Sequence, residues 1–201
     1  LEAYTPTLLN PYTEKGGKWR TTDNSKNIVY IGELLAQELR MQGFNVIHDI
    51  TNHEPPELSS AYERSEATMK KYKAQFPSIT MFIDLHRDAA GEASTNDFVI
   101  IDGEEAARIM FVVGSGRGAT GSGFAEMPKY EYNLALADAI SEQLSMIHPD
   151  FMRPTRIKTG RYNQHISSQC LLIEVGHNMN TLEQAINAVK HLAKAITAVC
   201  G

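Results

Sequence analysis

Residues 78–88 read Ser78-Ile79-Thr80-Met81-Phe82-Ile83-Asp84-Leu85-His86-Arg87-Asp88. Ile79, Met81, Ile83 and Leu85 alternate along one face and Phe82 adds apolar bulk to the other, which predicts a buried strand. Pro77 precedes it, Ala89-Ala90-Gly91 follow, and it ends abruptly in polar residues. In open α/β sheets chemistry sits beyond the carboxyl ends of the strands, and His86 is expected at such an end. A second stretch repeats the pattern: Cys170-Leu171-Leu172-Ile173-Glu174-Val175-Gly176-His177-Asn178, an apolar run with one carboxylate set into it. An imidazole and an isolated carboxylate at two strand ends point to metal-assisted hydrolysis. The rest of the chain reads as scaffold for that pair.

The gross numbers fit this reading. A chain of 201 residues suits a single domain spanning 1–201 with ample length for a core. Hydrophobic content of 42% and charged content of 21% are ordinary for a globular protein. The net charge of −5, with no Lys/Arg run, argues against a nucleic-acid partner. No apolar run approaches the roughly 18 residues of a membrane-spanning helix, and no signal peptide is visible. Cys170 and Cys200 fit neither a disulfide framework nor a zinc cluster and read as buried, inert thiols.

Residues 1–25 are loop-like, with Pro6, Pro11 and Gly16-Gly17. Ile28, Ile31, Leu34, Leu35 and Leu39 then predict an amphipathic helix closed by Gly43. Phe44-Asn45-Val46-Ile47-His48 predicts a short strand. A second helix, capped by Ser59 or Ser60, runs to about Gln75. Phe98-Val99-Ile100-Ile101-Asp102-Gly103 and Arg108-Ile109-Met110-Phe111-Val112-Val113 read as a hairpin turning near Gly103. A glycine-rich loop spans 114–123, and a third helix covers 130–146 until Pro149. Arg156-Ile157-Lys158 reads as an edge strand, and the last helix covers 181–199. Strands alternating with helices imply an α/β fold: a mixed, largely parallel sheet with helices on both faces.

Several residues invite chemistry. Asp84, Arg87 and Asp88 surround His86; a carboxylate beside a ligating His commonly fixes its tautomer, and zinc accepts His nitrogen and Asp/Glu oxygen. Glu174 stands among Leu171, Leu172, Ile173 and Val175, where desolvation would raise its pKa and suit a general base. A salt bridge to Arg161 or Arg87 is the structural alternative. Gly116-x-Gly118-x-x-Gly121 formally matches a dinucleotide fingerprint, but Pro128 and its neighbours intervene before any helix, so the loop reads as a rim. On composition alone Asp23 reads as a helix N-cap. His148 and His191 read as solvated helix positions.

Taken together, Leu1-Glu2-Ala3-Tyr4-Thr5-Pro6, Thr22-Asp23 with Asn27, Asp84-Leu85-His86-Arg87-Asp88-Ala89, Tyr162-Asn163-Gln164-His165 and Ile173-Glu174-Val175-Gly176 resemble the stage II sporulation protein P family. More distantly the pattern is similar to cell-wall N-acetylmuramoyl-L-alanine amidases. The resemblance implies an amidase/zinc-carboxypeptidase-like fold and a zinc-dependent hydrolase of peptidoglycan acting in engulfment, with Glu174 as base and His86 as zinc ligand. It implies an acidic ligand at Asp23 or Glu2, and places a third ligand, a His on a first strand, before Leu1. It assigns Arg87, Arg161, Asn163, Gln164 and His165 to stem-peptide carboxylates or the oxyanion. It also implies an extracytoplasmic, membrane-anchored full-length protein and a glycan-cutting partner, the stage II sporulation protein D. The alternatives are a non-catalytic peptidoglycan-binding module and a zinc carboxypeptidase.

Overall fold

The computed structural model describes residues 23–89, 97–118 and 126–201. Glu2, the expected N-terminal loop and most of the glycine-rich stretch lie outside the described residues. Among the described residues there are four α-helices: α1 (Ile28–Met41), α2 (Ala61–Gln75), α3 (Tyr130–Ile147) and α4 (Leu182–Cys200). The strands are β1 (Phe82–Asp88), β2 (Phe98–Ile101), β3 (Glu104–Ala107), β4 (Ile109–Gly114), β5 (Arg156–Lys158) and β6 (Cys170–His177). The main sheet has the order β1-β6-β4-β5; β1–β6 and β4–β5 are parallel and β4–β6 is antiparallel. This is the mixed, mostly parallel sheet expected.

Alternation divides the sheet into two unlike faces. Leu85, Ile109, Phe111, Val113, Leu171, Ile173 and Val175 point into the main core. There they meet Ile31, Leu35 and Leu39 of α1, Ile140 and Leu144 of α3, and Val189, Leu192 and Ile196 of α4. These helical residues recur every three or four positions, which is why three helices share one face. On the opposite face Met110, Val112 and Leu172 form a small cluster under Tyr162. Helix α2 buries only Ala61 and Ser65, so it has little apolar stripe of its own. Polar contacts with the turn at residues 161–165 hold it over this second face.

Several local features have direct causes. Asn27, not Asp23, caps α1: its Oδ1 accepts from Val29 N at 2.9 Å. Ser60 holds the capping position of α2 but makes no capping hydrogen bond there. Thr181 and Gln184 form a reciprocal capping box on α4. The hairpin is β2–β3, closed by Asp102 and Gly103 with φ of 54° and 85°, the left-handed pair that a two-residue turn requires. Residues 108–113, expected as its second arm, instead fall almost wholly in β4, which joins the main sheet. Residues 44–48 form no strand; a cleft of about 1140 Å³ is lined both by residues 44–49 and by residues 78–85. Both cysteines are free thiols, and burial pushes Cys170 up to about 12. His191, expected in solvent, packs edge-on against buried Phe151 at 5.7 Å.

The start of β6 is fixed by a side chain of α3. Buried Asn133 accepts from Cys170 N at 2.9 Å and donates to Gln164 O at 3.1 Å. Asn133→Ala would strand both backbone groups in the interior, and a loss of about 2 kcal/mol is expected. Urea denaturation checks this; a loss below about 0.5 kcal/mol, the range of an ordinary surface change, would contradict the pinning role.

Candidate active site

Strands β1 and β6 are in register with Asp84 opposite Leu172, His86 opposite Glu174 and Asp88 opposite His177. Adjacent strands lie about 4.8 Å apart and opposed residues share a face, so His86 and Glu174 are side by side on the second face of the sheet. His86 lies inside β1, not at its end: the ladder continues through an irregularity between His86 and Asp88. The reason is that β6 is long enough to pair with it as far as His177.

The environment of Glu174 is that of an isolated acid. Burial raises its pKa to about 7; Asp88 and Asp84 push the same way, while the His86 ring and the Arg153 guanidinium pull it down. Its Oε2 is buried without a hydrogen-bond partner among the described residues. Neither Arg161 nor Arg87 forms the salt bridge considered above as the structural alternative. Asp84 behaves oppositely. Burial would raise its pKa, but the positive charges around it, first the His86 ring with Nε2 at 2.9 Å from Asp84 Oδ1 and also His53, together outweigh burial and hold the carboxyl well below the usual range. Asp84 is thus an ionised carboxylate against the imidazole, the arrangement that orients a ligating His. At the end of β1, Asp88 pairs with Arg153 at 2.6 Å and with Arg156 at 3.5 Å.

The other expected site residues fall into three groups. Arg87 is buried and points away from His86: Nε donates to His177 O at 2.7 Å and Nη2 to Asn180 O. Burial lowers its pKa to about 9. It ties β1 to the β6–α4 connection and is not turned toward a substrate. Asn163 donates to Tyr62 O and to Ser65 Oγ, each at 2.8 Å, clamping α2. Gln164 donates to Val112 O and accepts from Gly114 N, each at 2.8 Å, as a paired strand would. Both amides are committed to internal bonds.

Arg161 and His165 do lie near the second face, because Tyr162 between them covers Leu172. Arg161 pairs with Glu66 at 2.6 Å, and His165 Nε2 stands 3.2 Å from the same carboxylate. Lys70 completes a hub around Glu66, at 2.6 Å. Burial opposes ionisation of Glu66, but Lys70, Arg161 and His165 together hold its pKa below the ordinary value. Neither Glu66 nor Arg153 stands out in the sequence, since their partners Arg161 and Asp88 lie 95 and 65 residues away.

For zinc, the donors fit in kind. His86 offers an imidazole and the unpartnered Glu174 oxygen an acceptor beside it, but a catalytic site uses three protein ligands. Among the described residues no group of three His, Cys, Asp or Glu side chains could hold a metal ion. Asp23 is exposed and accepts from Ser25 N at 3.0 Å and Ser25 Oγ at 2.6 Å, with Lys26 at 3.4 Å. The described residues therefore hold no complete zinc site.

A family profile described as stage II sporulation protein P matches residues 1–197. The stage II sporulation protein P of Bacillus subtilis (strain 168) is 25% identical over 176 residues, covering 81% of this chain and 41% of that relative. The chain thus spans about two fifths of the length of the curated relative it matches. Among solved structures, the N-acetylmuramoyl-L-alanine amidase AmiC2 of Nostoc punctiforme aligns with 98% of this chain and 91% of its own, at a TM-score of 0.47 and 16% identity.

The raised pKa of Glu174 has a consequence for stability. Between its ordinary 4.5 and the folded value of about 7, the folded chain holds a proton that the unfolded chain has released. This contribution is present below the unfolded pKa and is lost as pH rises through the folded one. In chelator-treated protein, wild type is expected to lose stability relative to Glu174→Gln between about pH 5 and about pH 8, by no more than about 3 kcal/mol. Denaturation curves at both pH values check this; a gap that does not move with pH would contradict the isolated-acid environment.

Proposed function

We propose a function from one premise: the chain belongs to the stage II sporulation protein P family. It is a zinc-dependent peptidoglycan hydrolase that cleaves the amide between the N-acetylmuramoyl lactoyl group and L-alanine, and also cuts stem-peptide cross-links, during engulfment. The observation that supports this best is the register that sets His86 opposite Glu174, with Glu174 held near a pKa of about 7. A carboxylate with that pKa can accept and return a proton near neutral pH.

In this reading His86 is a zinc ligand, oriented by Asp84, and Glu2 or Asp23 is the acidic one. A bound zinc ion supplies Lewis-acid polarisation of water and of the carbonyl. Glu174 takes a proton from the attacking water as its oxygen bonds to the carbonyl carbon. It then delivers that proton to the departing alanine nitrogen as the C–N bond breaks. Arg161, beside the Glu66 hub, faces the stem-peptide carboxylates, for which a guanidinium fork is suited. The protein works outside the cytoplasm, alongside the glycan-cutting stage II sporulation protein D, and is anchored through segments other than those described. Among the described residues no helix is long and apolar enough to cross a membrane.

Purified sacculi separate this reading from a binding module and from a carboxypeptidase. Glu174→Gln is expected to sediment with sacculi and to retain zinc by elemental analysis. Its release of stem peptides should fall by a factor of about 100 or more. His86→Ala should lose both zinc and release. Release by Glu174→Gln at the wild-type rate would refute the base assignment. Wild-type binding without any release would favour the module, and release of single C-terminal residues the carboxypeptidase.

A further inference from the structure

Arg153 follows α3 and lies beside β4: its N–H donates to Ile109 O at 2.8 Å, and the preceding Met152 bridges to Ile109. In the sheet order β1-β6-β4-β5 its side chain therefore passes the end of β6 to reach Asp88 on β1. Nη2 donates to Asp88 Oδ2 at 2.6 Å. The charge is close enough to be felt by Glu174, which belongs to the strand in between. Nη1 of the same guanidinium is buried and has no hydrogen-bond partner among the described residues. A buried donor left without an acceptor costs about 1–3 kcal/mol, and a catalytic role is one of the few reasons a native structure keeps such a group. Glu174 Oε2, on the strand that this side chain passes, is likewise buried and without a hydrogen-bond partner among the described residues.

These two unfilled groups, one cationic donor and one acceptor, are what an amide hydrolysis needs at opposite ends of the attacked carbonyl. The acceptor takes the water proton and the donor meets the oxygen that gains charge. We propose that Arg153, held in place by Asp88, donates from Nη1 to the carbonyl oxygen of the scissile amide as it becomes an oxyanion. This rests on the reading of Glu174 as base. The C=O π pair moves onto oxygen as the water oxygen bonds to carbon, and it returns when the C–N bond breaks, so Arg153 exchanges no proton. Arg161 would then serve binding and Arg153 turnover.

The test uses a soluble N-acetylmuramoyl-L-alanyl peptide and the variants R153M, R153K, E174Q and E174Q/R153M. R153M is expected to lower kcat by about 100- to 1,000-fold with KM changed by less than about threefold. R153K keeps a cation for Asp88 but not the planar fork; it should melt near wild type and still lose at least about tenfold in kcat. Calorimetry with the same peptide should give E174Q and E174Q/R153M affinities within about threefold of each other. Wild-type kcat in R153K would overturn the proposal. So would tenfold weaker binding in the double variant, which would make Arg153 a ground-state carboxylate anchor. Wild-type turnover by E174Q, by contrast, would sink the base assignment, while the kcat and KM of the Arg153 variants would remain readable by themselves.

Discussion

Because β1 and β6 run parallel with His86 opposite Glu174, an imidazole and an acid are forced onto one face of a sheet whose other face is packed with apolar side chains. A shift of one residue in that pairing would put Leu85 or Val175 in their place and drive a charge into the core. The register is in turn secured by the core face, where Leu85, Ile173 and Val175 are almost completely buried. Hydrophobic burial by α1, α3 and α4 thus stabilises the fold from one side and leaves the other side free to carry polar groups. Keeping Glu174 poorly solvated costs stability, and that cost is what raises its pKa toward neutrality.

Polar side chains, not regular elements, position the ends of the strands around this pair. Asn133 pins the start of β6, Gln164 extends the edge of β4, and Arg87 ties β1 to the β6–α4 connection. In its last residues β6 bends sharply. Gly176 adopts φ +67°, and a Cβ there would meet Asn180 Oδ1 at 2.6 Å. Asn180 itself accepts from His177 N and donates to Gln184 Oε1, both at 2.9 Å, so the bend is locked to the start of α4. Each is a buried amide or guanidinium with its bonds satisfied internally, which makes the surroundings of Glu174 rigid. On the second face two carboxylates, Asp88 and Glu66, each gather two cations.

The juxtaposed pair is legible in the sequence because a charged residue inside an apolar run is costly and therefore conspicuous; His86 and Glu174 both stand out in that way. Helix α1 and helix α4 were legible from their 3.6-residue pattern. Less could be read where the deciding fact is tertiary. The Tyr162-Asn163-Gln164-His165 stretch looks like an exposed polar recognition loop, yet Asn163 and Gln164 are buried and bonded internally. Arg87 adjoins His86 in sequence, and strand alternation sends it to the opposite face. Residues 109–113 pattern equally well as a hairpin arm or a central strand, and only pairing with β6 decides between them. Residues 44–48 have strand composition but no ladder partner among the described residues. Arg153 and Glu66 carry no local signal, because their meaning lies in contacts with distant parts of the chain.

The central claim is that His86 and Glu174 line one hydrolytic cleft. Diffraction data collected on both sides of the zinc absorption edge, from crystals grown with zinc, would test it most directly. The account predicts a single strong anomalous peak at about 2.0–2.1 Å from a His86 ring nitrogen. The Glu174 carboxylate should lie within reach of one bridging water of that peak. A peak bonded elsewhere with His86 unliganded, or His86 and Glu174 on opposite faces of the sheet, would contradict it.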